Sequence, residues 1–354
     1  MKKVLITGGS GFVGSNIAIF INKQKPDWNV FCLDNLKRRG SELNVVRLKE
    51  NGIEFHHGDI RSKEDLKIEK KIDLIIECSA EPSVLAGYGS SPEYLLNTNL
   101  VGTLNCLELA RRDKADFIFL STSRVYPIEK LVRLSYKEES TKFVLNNDQP
   151  FVGASSDGIT TGFPLDGSRS MYGAAKLASE LIIQEYVSIY GIRAVINRCG
   201  VIAGPWQMGK VDQGVFTHWM LCHYFNKGLQ YIGYNGSGKQ VRDLLHVDDL
   251  SKLVLIEFEM LSEINGRTFN VGGGRDVSLS LLETTTICEE MTGNKMQIGS
   301  INQNRSADIP IYITDNSEIT KSTGWVIQKS AFDVLHDTFL WIQRNEKRIK
   351  QITI

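Results

Sequence analysis

Short apolar runs alternate with amphipathic stretches along the first half of the chain. The runs at 3–7, 28–33, 53–57, 73–77 and 116–121 have strand length and are largely apolar, the pattern of strands covered on both faces. The stretches near 12–24, 41–50, 62–70 and 93–112 have helical spacing. This alternation predicts a parallel sheet with helices on both sides. A long helix is predicted over 171–190, and Val195-Ile196-Asn197-Arg198 forms a sixth strand after it. Beyond residue 200 the texture changes. Short strands at 229–232, 268–271 and 296–299 sit among helices at 214–226, 246–260, 278–292 and 329–345, with turn-rich joints such as Asn235-Gly236-Ser237-Gly238. We expect a smaller lobe there, with some segments (about 240–275) returning to the sheet.

Composition narrows the class without naming it. The 354 residues are 42% apolar, enough to bury a full core. Lysine plus arginine equals aspartate plus glutamate at 41 each, which argues against a chain that coats nucleic acid or an acidic membrane. No apolar run approaches the ~20 residues that span a bilayer, and a strand beginning at residue 3 leaves no room for a leader ahead of it. The six cysteines show no CxxC pair and no metal-ligand spacing, as expected of reduced thiols in a cytoplasmic protein without a metal site.

The first strand runs into Gly8-Gly9-Ser10-Gly11-Phe12-Val13-Gly14 and then a helix. A strand, a glycine-rich turn and a helix form a dinucleotide-binding arrangement. Gly8 permits the turn, Gly11 lets a pyrophosphate reach backbone N–H groups at the helix start, and Gly14 lets helix and strand pack closely. Asp34 ends the second strand twenty residues past Gly14; its carboxylate would accept from ribose hydroxyls and repel a 2′-phosphate. NAD is therefore expected over NADP; Lys37, Arg38 and Arg39 follow closely and either weaken that preference or form a solvated basic turn. Gly58-Asp59-Ile60 follows the third strand, where an aspartate can reach adenine or serve only as a turn residue.

Tyr172-Gly-Ala-Ala-Lys176 lies on the 171–190 helix, fifty residues after Thr122. A tyrosine needs nearby positive charge to act as a base at neutral pH. Lys176, one helical turn on, is expected to supply it together with the nicotinamide ring, and to hold the nicotinamide ribose. Thr122 follows the fifth strand, at the end of the sheet where ligands bind, and is expected to pass the sugar proton toward Tyr172.

These motifs, with Asn99-x-x-Gly102-Thr103 and Gln240-Val241-Arg242-Asp243-Leu244-Leu245-His246, resemble the extended short-chain dehydrogenase/reductase superfamily of nucleotide-sugar epimerases and dehydratases. The resemblance implies a Rossmann-type doubly wound α/β domain over 1–198, with a long substrate-side loop at 127–170, and a substrate-binding α/β lobe over 199–354. It implies tightly bound NAD touching Ser10, Phe12, Val13, Asn35, Asp59, Ile60, Ser79, Ala80, Asn99 and Cys199 as well as the glycines, Asp34, Tyr172 and Lys176. Dehydratases and decarboxylases of the superfamily carry acidic residues after the threonine, where this chain has Ser123 and Arg124. That leaves epimerisation or reduction.

The basic residue at 124, the long 127–170 connection, Asp212-Gln213-Gly214 and the 236–246 run resemble the CDP-paratose (CDP-tyvelose) 2-epimerase branch. Its implied substrate is a CDP-linked nucleotide-diphosphate sugar. Glu81, Ser83, Thr122, Ser123, Arg124, Gln213 and Gly214 would face that substrate, and Arg242 and Arg305 would grip the diphosphate. Asp308 either binds a ribose or orients an arginine; Arg169 either contacts substrate or lies on the surface; His246 is read as structural. A 4-epimerase, a keto-sugar reductase and a nucleotide-binding protein without chemistry remain open. The resemblance further implies a homodimer or homotetramer joined through 93–112 and 171–190, whose leucines and isoleucines serve either that interface or the core.

Overall fold

A computed structural model describes residues 1–209 and 213–353. Seven strands form one parallel sheet: β1 (Lys3–Thr7), β2 (Asn29–Asp34), β3 (Glu54–His57), β4 (Leu74–Glu77), β5 (Asp116–Thr122), β6 (Ala194–Cys199) and β7 (Thr268–Val271). Their order is β7-β6-β5-β4-β1-β2-β3. The order reverses between β1 and β4, which opens a crevice beyond the carboxyl ends of those strands.

Alternate side chains feed two cores. Val4, Ile6, Ile76, Ile118 and Leu120 pack toward helices Phe12–Gln24 and Val247–Glu259. Leu5, Ile75, Phe117 and Phe119 pack toward helices Gly102–Asp113 and Met171–Tyr190. Leu107 and Ile183 are buried in this second layer, whereas Leu104, Leu181 and Ile189 on the same helices are exposed.

One expectation is corrected and three gain detail. Residues 62–70 form turns and no helix. Lysines and acids dominate the segment; only Leu66 is buried, and Asp65 is used to accept the Asp59 N–H. The 93–112 helix is present and widens to a π turn at Asn97–Val101, of the kind found at functional sites. Of the returning stretch, Val241–His246 stays in the lobe, pairing with Val201–Ala203, Ser278–Ser280 and Ile311–Tyr312. Only the following helix and β7 join the large sheet. The 127–170 connection forms two small hairpins, and Phe143, Ile159 and Phe163 pack with Val241, Ile311 and Tyr312. No helix among the described residues is long and apolar enough to cross a membrane, and these residues contain no metal-ligand cluster.

Candidate active site

The glycine-rich turn lies on the β1 side of the crevice. Gly8 has φ +63°, and a Cβ there would sit 2.8 Å from the Cys78 carbonyl and the Ser79 N–H. A Cβ at Gly14 would overlap the Gly8 carbonyl. Gly11 caps helix Phe12–Gln24 without a side-chain acceptor, and its first turn holds no acidic residue. A helix start with free N–H groups and no side chain in front of it fits a pyrophosphate, so the residues present fit a dinucleotide.

Asp34 accepts the N–H groups of Ser10 (3.1 Å) and Leu36 (2.8 Å). Desolvation pushes this carboxyl up, and those two N–H bonds oppose the rise. Ser10 turns its hydroxyl away, donating to Ser41 O at 2.6 Å. Asn35 donates to Asp59 at 2.9 Å, and Arg61 holds Asp59 down at about 2. The three basic residues after Asp34 are committed elsewhere. Lys37 lies 3.7 Å from the Tyr94 ring centre, Arg38 binds Gln213 and the Met208 carbonyl, and Arg39 donates to Gln351 O. The rim therefore presents Asp34 rather than a cluster of cations, which favours NAD.

Asn99 sits in the π segment and is fully buried. It accepts the Glu81 N–H (2.8 Å) and donates to Glu81 O (3.0 Å). Its own carbonyl takes the Ser179 hydroxyl at 2.8 Å, tying the segment to the Tyr172 helix. Asn99 thus pins the strand-to-loop exit where Ser79, Ala80, Glu81 and Ser83 lie. Ile60 is buried against the position of Gly102, and Phe12 and Val13 start the helix beside the turn.

Thr122 and Tyr172 meet across β5 and helix Met171–Tyr190. Gly173 makes this possible, because a Cβ there would overlap the Arg124 carbonyl. The Tyr172 hydroxyl is desolvated and pushed up to about 12, with the Thr122 hydrogen bond and Arg124 pulling it down and Cys199 and Glu81 pushing it up. The Lys176 ammonium donates to Leu120 O (3.0 Å) and lies 4.3 Å from the Phe119 ring centre, on the sheet side of the helix.

Behind these residues runs a sealed network absent from the sequence reading. Glu180 binds Arg198 at 2.7 Å and takes the Ser121 hydroxyl at 2.5 Å. Arg198 reaches the Tyr126 hydroxyl, which donates to Asn270. Glu180 follows Lys176 by four residues, so the helical stripe 172-176-180 was a usable signal.

A cavity of about 560 Å³ opens toward the lobe, lined by Arg124, Arg242 and Arg305, with apolar walls including Val84, Leu85, Val201 and Phe216. Gln213, Gly214 and Asp308 also line it; Asp212 lies outside the described residues. Asp308 accepts from Arg242 at 3.1 Å, so it orients an arginine. Desolvation and the nearby Arg242 charge push Arg124 down to about 10. Crowded guanidiniums of this kind suit a polyanion. Ser123 belongs to the short turn after Thr122 and does not line the cavity. Neither does Arg169, which folds back onto the carbonyls of Leu165 and Gly167. His246 is buried and caps a helix through Asp248 N at 3.0 Å, a structural role.

Residues 4–272 match the family described as "NAD dependent epimerase/dehydratase family". The chain is 32% identical to a CDP-paratose 2-epimerase of Salmonella typhi, over 96% of this chain and 98% of that protein. It is 26% identical to a UDP-glucuronate 4-epimerase of Thermodesulfobacterium geofontis, over the whole of both. A UDP-glucuronic acid 4-epimerase from Bacillus cereus, solved with UDP-glucuronic acid and NAD, shares the fold with a TM-score of 0.76 at 23% identity, covering 97% of this chain and 99% of that one.

Proposed function

The chain belongs to the NAD dependent epimerase/dehydratase family, and from that premise we propose that it is a nucleotide-sugar epimerase that inverts C2 of a CDP-linked deoxyhexose. The carrying observation is the composition of the reacting end. Thr122 and Tyr172 are paired there, and the next two residues are Ser123 and Arg124. Elimination of water needs an acid and a base at those positions; hydride removal and return does not. The apolar Val84, Leu85 and Val201 beside Arg124 suit a sugar short of hydroxyls, and the 32% identical relative carries this activity in its name.

Bound NAD supplies a hydride acceptor that is restored in each turnover. Tyr172 takes the proton of the C2 hydroxyl, with Thr122 holding that oxygen. Arg242, steadied by Asp308, and Arg305 hold the diphosphate. The 2-keto sugar turns over while the nucleotide stays anchored, and Tyr172 then returns the proton. A second reading, epimerisation at C4 of a uronic acid, uses the same pair. It is favoured by the UDP-glucuronate 4-epimerase relative and by the Arg124 guanidinium, which would pair with a sugar carboxylate.

Denaturing the purified protein is expected to release about one NAD per chain, and the untreated protein to interconvert CDP-paratose and CDP-tyvelose without added cofactor. Conversion of UDP-glucuronate instead would move the target to C4. An empty protein that consumes NADH in step with a keto-sugar would replace both readings with a reductase.

The exposed Leu104, Leu181 and Ile189 support a homodimer through the 102–113 and 171–190 helices. Sedimentation is expected at twice the 39.7 kDa chain mass, and at the single-chain mass for a Leu181→Glu/Ile189→Glu variant. A wild-type monomer at micromolar concentration would remove the proposal.

A further inference from the structure

One buried carboxyl beside the site has no part in the scheme above. Glu77 is the last residue of β4, in register with Thr7 of β1 and Phe119 of β5, at the point where the sheet order reverses. It is completely shielded from solvent. Oε1 accepts the Thr103 hydroxyl at 2.8 Å, while Oε2 is buried with no hydrogen-bond partner among the described residues. A carboxyl in that state is costly unless a neighbouring charge opposes the loss of water.

Lys176 is that neighbour: Glu77 is in register with Phe119, and the Lys176 ammonium lies 4.3 Å from the Phe119 ring centre. Desolvation pushes the Lys176 ammonium down, and Glu77 is the foremost of the charges holding it up. Reciprocally, burial pushes Glu77 up to about 7, and Lys176 and the Thr103 hydroxyl pull it down. The other titratable groups facing the pair are Cys78 on the same strand, Cys106 on the helix above, Cys199 on β6 and Glu180 on the Lys176 helix. The three thiols are pushed up by burial and stay neutral, and Glu180 is already paired with Arg198.

We propose that Glu77 is a positioning residue of the proton-transfer site, a buried carboxylate that keeps Lys176 protonated behind Tyr172. A neutral amine at Lys176 would give no help to a phenolate. The proposal rests on the reading of Tyr172 and Lys176 as the proton-transfer pair. Its acid–base sense follows from linkage. Above pH about 7 Glu77 is charged and holds the ammonium, so Lys176 keeps its proton, and its help to a phenolate, to higher pH than it would beside a neutral group. The native state keeps the Glu77 proton longer than the unfolded chain, whose carboxyl titrates near ~4.3, so this residue's contribution declines as pH rises from there to about 7 and is then level.

The test is carbon-13 NMR of the full chain labelled at glutamate carboxyls, with Glu77→Gln identifying the signal by its loss. We expect a midpoint near neutrality, displaced upward by at least about one unit in Lys176→Met and also upward in Thr103→Val. An unmoved midpoint in Lys176→Met overturns the proposal, and Thr103→Val confirms independently that the signal belongs to the folded site. The kinetic arm uses whichever nucleotide sugar the protein converts. Glu77→Gln should lower kcat about tenfold on the alkaline side, the equivalent of one pKa unit, with KM unchanged and the decline with rising pH beginning earlier, while Glu77→Asp keeps the wild-type profile. A slower Glu77→Gln enzyme with the wild-type pH profile would reduce Glu77 to a structural group. If no nucleotide sugar is converted, the epimerase reading fails, while the NMR arm still decides whether Glu77 and Lys176 act on each other.

Discussion

Replacing Tyr172 by phenylalanine is expected to lower kcat by about 10³-fold, within the range for loss of a positioned acid–base group, which corresponds to about 4 kcal/mol of barrier. Only the hydroxyl is removed. The ring remains on helix Met171–Tyr190, so bound NAD and substrate KM should change little. The Thr122 hydroxyl cannot take over, because an aliphatic alcohol ionises far less readily than a phenol; its oxygen accepts the Arg124 N–H at 3.1 Å. The Tyr172 hydroxyl lies up at about 12 in the protein alone. Catalysis near neutral pH therefore requires more positive charge than Arg124 supplies, and the oxidised nicotinamide ring and a protonated Lys176 are its sources. Since the base works only when deprotonated, kcat/KM should rise with pH until the phenolate forms, and that limb should vanish in Tyr172→Phe. Retention of a tenth or more of the wild-type kcat would assign the proton to another group.

The largest effect on stability is expected from Glu180→Ala, a loss of about 3–5 kcal/mol measured by urea unfolding. Glu180 and Arg198 are 2% and 7% exposed, so the cut leaves a guanidinium buried without its partner. Desolvation alone would push Arg198 down; Glu180 and Tyr126 hold it above its ordinary value. The same carboxylate takes the Ser121 hydroxyl, so the strand that carries Thr122 and the helix that carries Tyr172 also lose a tie. Glu180→Leu/Arg198→Met should recover most of the loss, because the unpaired charge, not the absent pair, is what destabilises. A cost below about 1 kcal/mol for Glu180→Ala would mean that water reaches Arg198 and that the network is not sealed.

The glycine turn, Asp34, Thr122, Tyr172 and Lys176 could be read from the chain because each depends on neighbours in sequence. Backbone conformation at Gly8 is a local matter, and Tyr172 and Lys176 share a helix face through their spacing alone. The apolar runs likewise specified the parallel strands, since a strand covered on both faces has little choice of composition. The misreading arose where another part of the chain decided the outcome. Residues 62–70 had helix-like spacing, but Asp65 is taken up in bracing the Asp59 turn. Other details were hidden for the same reason: Asn99 pairs with Glu81 through its side chain and with Ser179 through its carbonyl, and Arg38 binds Gln213, 175 positions away.

The sequence by itself determined the sheet, the dinucleotide turn and the identity of the Thr-Tyr-Lys set, because these follow from periodicity and short-range geometry. Only the tertiary structure decided what else acts on those groups: Arg124 beside the Tyr172 hydroxyl, Glu77 near Lys176, and Asp308 on Arg242. Electrostatic influence depends on distance through space and on how much water has been removed. Both quantities come into being only when segments remote in the chain close over the same site.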